Sequence, residues 1–211
     1  MPDRVRATVL ASGGGTNLQA VLDAAARGAL PLEVGAVVCN RSDAFALERA
    51  KRAGVAAHCT PWDRKRTPRT EYDVMLGELV ASTDPDLVLL LGWMHLLSPR
   101  FVERFPRMLN IHPAYLPLDP EADEVEMPDG TTIPAFRGPH AIADAIAAES
   151  AWYGATAHRV GIEADRGRVL AREALPLTHA DVEAALAALR PIEHAVLLRG
   201  ISRLIDDEKQ P

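Results

Sequence analysis

Val5-Arg6-Ala7-Thr8-Val9-Leu10-Ala11-Ser12-Gly13-Gly14-Gly15-Thr16-Asn17-Leu18-Gln19 is the stretch on which the fold turns. Its first six residues form a nearly continuous apolar run, the pattern of a strand buried on both faces. Three glycines follow, and from Asn17 to Arg27 apolar residues recur at three- and four-residue spacing, as on an amphipathic helix. The same alternation continues downstream. Val34 to Cys39, Val55 to His58 and Leu87 to Leu91 read as strands, while Ala44 to Ala53 and Thr70 to Ser82 read as helices. Apolar strands separated by helices predict an α/β fold, a Rossmann-like and mostly parallel sheet with helices on both faces. Sheets of this class bind ligands beyond the C-terminal strand ends, which points to the loops after Leu10, Leu91 and Leu109.

The second half is less regular. Met108 to Ile111 predicts a fifth strand, and Ala141 to Glu149 a helix. Ala155 to Ile162 and Val169 to Leu177 predict an antiparallel C-terminal pair, and Asp181 to Leu204 one or two closing helices around Pro191. Between Leu118 and Ile133 the pattern breaks into prolines and acids with no basic residue. With no repeat and no linker-like segment, the expectation is one domain spanning residues 1–211 with an insertion at about 118–133.

The chain has 211 residues and a formal net charge of -6, which argues against a general nucleic-acid binder. Asp119, Glu121, Asp123, Glu124, Glu126 and Asp129 equal that whole net charge, so the imbalance belongs to the insertion alone and is a local feature, not a general argument about partners. The segment is expected to be a mobile acidic flap beside Pro113 to Pro117, acting on substrate binding more than on chemistry. No signal-peptide core or membrane-length apolar run is present, and Cys39 and Cys59 fit free thiols, so a cytoplasmic protein without membrane partners is expected.

Three stretches could carry chemistry. Gly13 to Gly15 lie between a strand and a helix, where free N–H groups and the positive end of the helix dipole suit a phosphate. A glycine-rich turn serving only chain reversal is the alternative. A dinucleotide fingerprint fits poorly, because Leu18 occupies the place of its last glycine. In Leu109-Asn110-Ile111-His112-Pro113, strand alternation puts Asn110 and His112 on one face, where an amide and an imidazole could hold an oxyanion and move a proton. A strand-end pair satisfied by loop carbonyls is equally compatible. Asp165, followed by Arg166-Gly167, reads first as an ordinary turn residue, although a carboxylate near His112 would favour its imidazolium.

The remaining candidates are weaker. His58, Cys59, His140, His179 and His194 lack metal-ligand spacing, so no metal is expected. Trp62, Trp93 and Trp152 read as isolated packing residues. Arg64, Lys65, Arg66 and Arg69 form a basic cluster that is either a solvated face or a contact for an anionic tail.

Taken in order, these motifs resemble the phosphoribosylglycinamide formyltransferases of the folate-dependent formyltransferase superfamily. The resemblance is carried by Val9 to Gln19, Ala44 to Ala50, Leu91-Gly92-Trp93-Met94, Leu97-Ser98-Pro99, Asn110-Ile111-His112-Pro113 and Glu193-His194-Ala195. It implies formyl transfer from 10-formyltetrahydrofolate, as co-substrate, to the amine of glycinamide ribonucleotide in purine biosynthesis, by a monomer or homodimer. It further implies that Asn110, His112 and Asp165 are catalytic. Gly15, Thr16, Asn17, Leu18, Gln19 and Glu193 would bind the ribonucleotide. Met94, His95, Leu96, Leu97, Gly161, Ala164, Asn110, Asp165 and nearby Arg69 would serve the folate. His95 stands where arginine is usual, and Arg137 where proline is usual, a feature shared with the methionyl-tRNA formyltransferase branch. The insertion splits the family's compact turn, separating Tyr115-Leu116-Pro117 from Phe136-Arg137-Gly138. Formyl transfer to another phosphate-anchored amine, a nicotinamide oxidoreductase and a non-catalytic nucleotide sensor are the competing readings.

Overall fold

The strand that opens the chain is buried because it is surrounded by neighbours. In the computed structural model, which describes residues 4–207, β1 (Val5–Ala11) pairs in parallel with β2 (Leu32–Cys39) on one side and β4 (Leu87–Leu90) on the other. Ala7, Val9, Leu10 and Ala11 are wholly removed from water. Thr8 is equally buried and makes a 2.6 Å hydrogen bond to Thr83 Oγ1. The Thr83 hydroxyl hydrogen goes to the Val80 carbonyl, so Thr8 is the donor, and neither of these two buried hydroxyls is left unpaired.

The chain divides into two compact units, one up to Leu109 and one from Asn110 onward. In the first, α1 (Thr16–Ala26) follows β1, α2 (Phe45–Arg52) follows β2, and β3 (Ala56–Cys59) pairs in parallel with β2. α3 (Arg69–Ser82) precedes β4, and α4 (Pro99–Arg104) follows it. α4 has no counterpart in the sequence prediction, because six residues are too few to show a helical period. It is stabilised at its start instead: the Ser98 hydroxyl accepts the Phe101 N–H at 3.3 Å, and Pro99 occupies the first turn.

β5 (Met108–His112) carries the chain into the second unit. That unit contains β6 (Glu124–Glu126), β7 (Thr132–Pro134), α5 (Ala141–Ala147), β8 (Trp152–Arg159), β9 (Val169–Pro176) and α6 (Val182–Asp206). β8 and β9 pair antiparallel, with a slip of register between Ala157 and His158. The seven sheet strands stand in the order β3-β2-β1-β4-β5-β8-β9, the expected mostly parallel α/β sheet with its antiparallel end and closing helix. α6 is one helix of 25 residues that contains Pro191.

The acidic insertion departs from the expected flap. β6 and β7 form an antiparallel hairpin in which Val125 faces Ile133 and Glu126 faces Thr132. Val125, Met127 and Ile133 are buried against Tyr115, Phe136, Trp152 and Ala174, while the acids between them face water. Asp129 closes the turn, accepting from the Thr131 N–H and hydroxyl and from Trp152 Nε1 at 2.9 Å.

Asp181 caps α6 by accepting from the N–H groups of Glu183 and Ala184 at 3.2 and 2.8 Å. Replacing it with alanine leaves two first-turn donors uncapped. Asp181→Ala is expected to lower unfolding free energy by about 1 kcal/mol, read as a reduced urea midpoint with unchanged slope.

Candidate functional site

In the first unit, the loop after β1 is shaped by Gly15, which caps α1 in a left-handed conformation with φ 68°. A Cβ there would lie 2.9 Å from both Cα and Cβ of Ala46, so glycine is required by the backbone and by the approach of α2. With glycine as the cap, the first turn of α1 receives no side-chain acceptor. Its N–H groups and dipole are thus available to an anion. Gly13 and Gly14 are exposed, and a Cβ on either would meet nothing within 4 Å.

The side chains of the loop are unevenly suited to a ligand. Leu18 is fully buried in the core, so only its backbone can serve one. Asn17 is buried with its Oδ1 unpartnered, and Thr16 is half-buried. Gln19 donates to Asp23 and accepts from Arg49 Nη1 at 3.0 Å, while Arg49 Nε donates to the Gly14 carbonyl at 2.8 Å. Arg49 therefore braces the loop from α2, a role that sequence reasoning missed because the residue lies 35 positions away.

The loop after β4 is tied to the same place. Ser12 N–H donates to the Gly92 carbonyl, and the Met94 N–H donates to Ser12 Oγ, both at 3.0 Å. Met94 and Leu96 are exposed, while His95 packs edge-on against Trp62, Tyr72 and Trp93. Two of the three tryptophans expected to be isolated thus share one aromatic cluster. Arg69 lies 4.8 Å above the Trp62 ring and pairs with Asp73 at 2.8 Å. Burial, reinforced by the charges of Arg69 and Arg64, pushes the His95 imidazole below its ordinary pKa.

In the second unit, β5 presents Asn110 and His112 on one face, and the loop after β8 brings Asp165 to them. The Asn110 amide nitrogen lies 3.2 Å from His158 Nε2 and 3.4 Å from Asp165 Oδ1, donating one N–H to each. His158 Nδ1 lies 2.8 Å from the Arg159 carbonyl and must carry the proton, which leaves Nε2 as the acceptor. His112 Nε2 donates to the Phe136 carbonyl at 2.9 Å, and its Nδ1 stands 3.6 Å from Asp165 Oδ2. That carboxylate oxygen also accepts the Gly138 N–H at 2.9 Å.

Asp165 adopts a left-handed φ of 56°, a conformation that few non-glycine residues hold without compensation. A Cβ at Gly167 would overlap the Arg159 carbonyl, so glycine lets this loop close on the end of β8. His158, Phe136, Arg137 and Gly138 were not singled out by their chemistry in the sequence. His158 sits in an apolar alternation that reads as strand, and the other contacts are largely backbone. Gly161 is half-buried and Ala164 exposed on the Asp165 loop, and Glu193 lies half-buried on α6. Among the described residues, no group of three or more His, Cys, Asp or Glu side chains is placed to hold a metal ion. No helix among them is long and apolar enough to cross a membrane.

Residues 5–120 match the family model described as formyl transferase, more than half of the chain. The phosphoribosylglycinamide formyltransferase of Escherichia coli K12 is 36% identical over 200 residues, covering 94% of this chain and 86% of the relative. The chain belongs to the phosphoribosylglycinamide formyltransferase family. The Schizosaccharomyces pombe enzyme of that name is 33% identical, with 95% and 97% covered. Among solved structures, glycinamide ribonucleotide transformylase 1 from Symbiobacterium toebii superposes with a TM-score of 0.83 at 34% identity, over 96% of this chain and 88% of that one.

Electrostatics distinguish the titrating groups of this formyltransferase. Burial pushes the His112 imidazole below its ordinary value, against the opposing pull of the Asp165 carboxylate and the Phe136 carbonyl. Burial would raise the Asp165 carboxyl, but the charge His112 can carry and the Gly138 N–H hold it well below the carboxylate range. The two groups act on stability in different windows. The folded site resists protonation of His112, so this group costs stability as pH falls below about 6.5. Ionised Asp165 contributes stability above about 3.9, lost as pH falls towards its depressed folded value. In Asp165→Asn the His112 ring loses its compensating charge, and its midpoint, followed by the NMR shift of its ring protons, is expected to fall further. An unchanged or higher midpoint would show that the carboxylate does not act on this ring.

Proposed function

We propose that this formyltransferase moves the formyl group of 10-formyltetrahydrofolate to the amine of glycinamide ribonucleotide. The amine nitrogen bonds to the formyl carbon, the carbon–N10 bond breaks, and one proton passes from the amine to N10. Asn110 supplies an N–H to the oxyanion of the tetrahedral intermediate by giving up its long 3.4 Å bond to Asp165 Oδ1, while the N–H held by His158 stays in place. His112, neutral in the free protein, takes the proton at Nδ1 and releases it to the leaving nitrogen, by way of water. While charged, it stands beside Asp165 and adds to oxyanion stabilisation. Asp165 makes that imidazolium accessible in a buried setting, and His158 orients the Asn110 amide.

The observation that carries this reading is the environment of His112: its two ring nitrogens stand 2.9 and 3.6 Å from acceptors, Phe136 O and Asp165 Oδ2. A ring so placed is prepared to gain a second proton as charge develops. Gly15 to Gln19 would hold the ribonucleotide phosphate through amides at the start of α1, with Glu193 contacting the glycinamide end. Met94 to Leu97, Gly161 and Ala164 would line the folate, with Arg69 beside it. The names and substantial identity of the relatives support formyl transfer to the same acceptor.

Purified protein given both substrates is expected to consume the formyl donor only when the ribonucleotide amine is present. Asn110→Ala should lower kcat about 10²–10³-fold with retained far-UV circular dichroism, the usual cost of losing one oxyanion donor. Acceptor-independent or absent deformylation by the parent protein would refute the assignment.

A further inference from the structure

The acidic insertion runs directly into the residues that hold His112 and Asp165. β7 ends at Pro134, and Phe136, Arg137 and Gly138 follow after Ala135. Each of the three makes a contact to the reacting group: the Phe136 carbonyl accepts from His112, Arg137 Nε donates to the Asp165 carbonyl at 3.4 Å, and the Gly138 N–H donates to Asp165 Oδ2. The position of this tripeptide is set from the other arm of the hairpin. The Ala135 N–H donates to the Asp123 carbonyl at 2.8 Å. The Asp123 carboxylate accepts from Arg137 Nη1 at 3.0 Å and from Arg166 Nη2 at 2.6 Å through one oxygen. The two guanidinium groups also bond the backbone just before it, Arg137 to Ala122 O at 2.6 Å and Arg166 to Pro120 O at 2.8 Å. Arg166 is the residue next to Asp165.

We propose that the hairpin is a positioning element of the formyl-transfer site, in which Asp123, clamped between Arg137 and Arg166, fixes the Phe136–Gly138 tripeptide and the Asp165 backbone. The inference rests on His112 and Asp165 being the reacting pair. It assigns Arg137 a partner, Asp123, within the inserted segment. Asp123 touches neither substrate in this scheme and acts only through the tripeptide and the Asp165 loop. The surrounding acids Glu124 and Glu126 face solvent and take no part. Paired burial of Val125, Met127 and Ile133 gives the clamp a stable base, so it does not depend on a solvated ion pair alone.

The experiment compares the parent protein with Asp123→Asn, Arg166→Gln, their double variant and Asp123→Glu. Asp123 is three-quarters exposed, so Asp123→Asn leaves the core intact, and Arg166→Gln opens the same clamp from the other side. Each single variant is expected to lower kcat about tenfold with both KM values within about twofold, since loss of alignment acts on the chemical step. The double variant should be no worse than either single one. Asp123→Glu should restore at least half of kcat. Amide exchange at Gly138, measured by NMR, should accelerate about tenfold in Asp123→Asn as its carboxylate acceptor loosens. Parent-like kcat and Gly138 exchange in Asp123→Asn and Arg166→Gln would overturn the proposal, as would a loss confined to KM. If the parent protein transfers no formyl group, the substrate assignment fails, while Gly138 exchange still decides the clamp: acceleration supports it and no change overturns it.

Discussion

A carboxylate removed from water must be met by donors or opposing charge, and the Asp165 carboxylate organises the second unit around that requirement. Its oxygens receive the Gly138 N–H and the Asn110 amide and stand close to the rings of His112 and His158. Its backbone is held left-handed, an arrangement that persists only where neighbours determine it. The surrounding groups are therefore constrained in turn. Asn110 points one N–H at His158, whose own proton is directed to the Arg159 carbonyl. His112 is left between a carbonyl and the carboxylate, near-neutral at rest and stabilised when charged.

The first unit meets a different constraint, the unpaired amides at the start of a helix. A glycine cap leaves them without a side-chain acceptor, and the close approach of Ala46 makes that glycine obligatory. Arg49 compensates by bonding the loop carbonyl and Gln19, so the loop is stiff without its amides being consumed. Ser12 couples this loop to the one after β4, placing the two loops together at the point where strand order reverses from β1 to β4, where sheets of this class hold ligands. Each constraint favours charge of one sign: the helix start an anion, and the Asp165 surround a protonated imidazole.

Much of the fold was legible because burial writes long periodic patterns. The apolar runs in β1, β2 and β4 and the spacing in α1 and α3 could be read directly, with boundaries displaced by a residue or two. α4 was too short, and the β6–β7 hairpin was obscured by acids and prolines. Its sign was nevertheless present in Glu124-Val125-Glu126-Met127, where alternate residues turn to core and solvent. The placement of candidate side chains was legible where residues are neighbours along a strand, as with Asn110 and His112. His158 was missed because a histidine in an alternating strand looks like any other inward residue.

What the sequence by itself determined was the alternation of strand and helix, the glycine loop leading into α1, the shared face of Asn110 and His112, and the confinement of net charge to one segment. These follow from local spacing, which the backbone converts into direction without reference to distant residues. Only the tertiary structure decided that Asp165 is a partner of His112, that His158 aims Asn110, and that the inserted acids fold into a hairpin joined to the Asp165 loop. Those relations link positions 27 to 55 residues apart. They arise because buried polar groups must find partners in space, and sequence distance places no limit on where those partners lie.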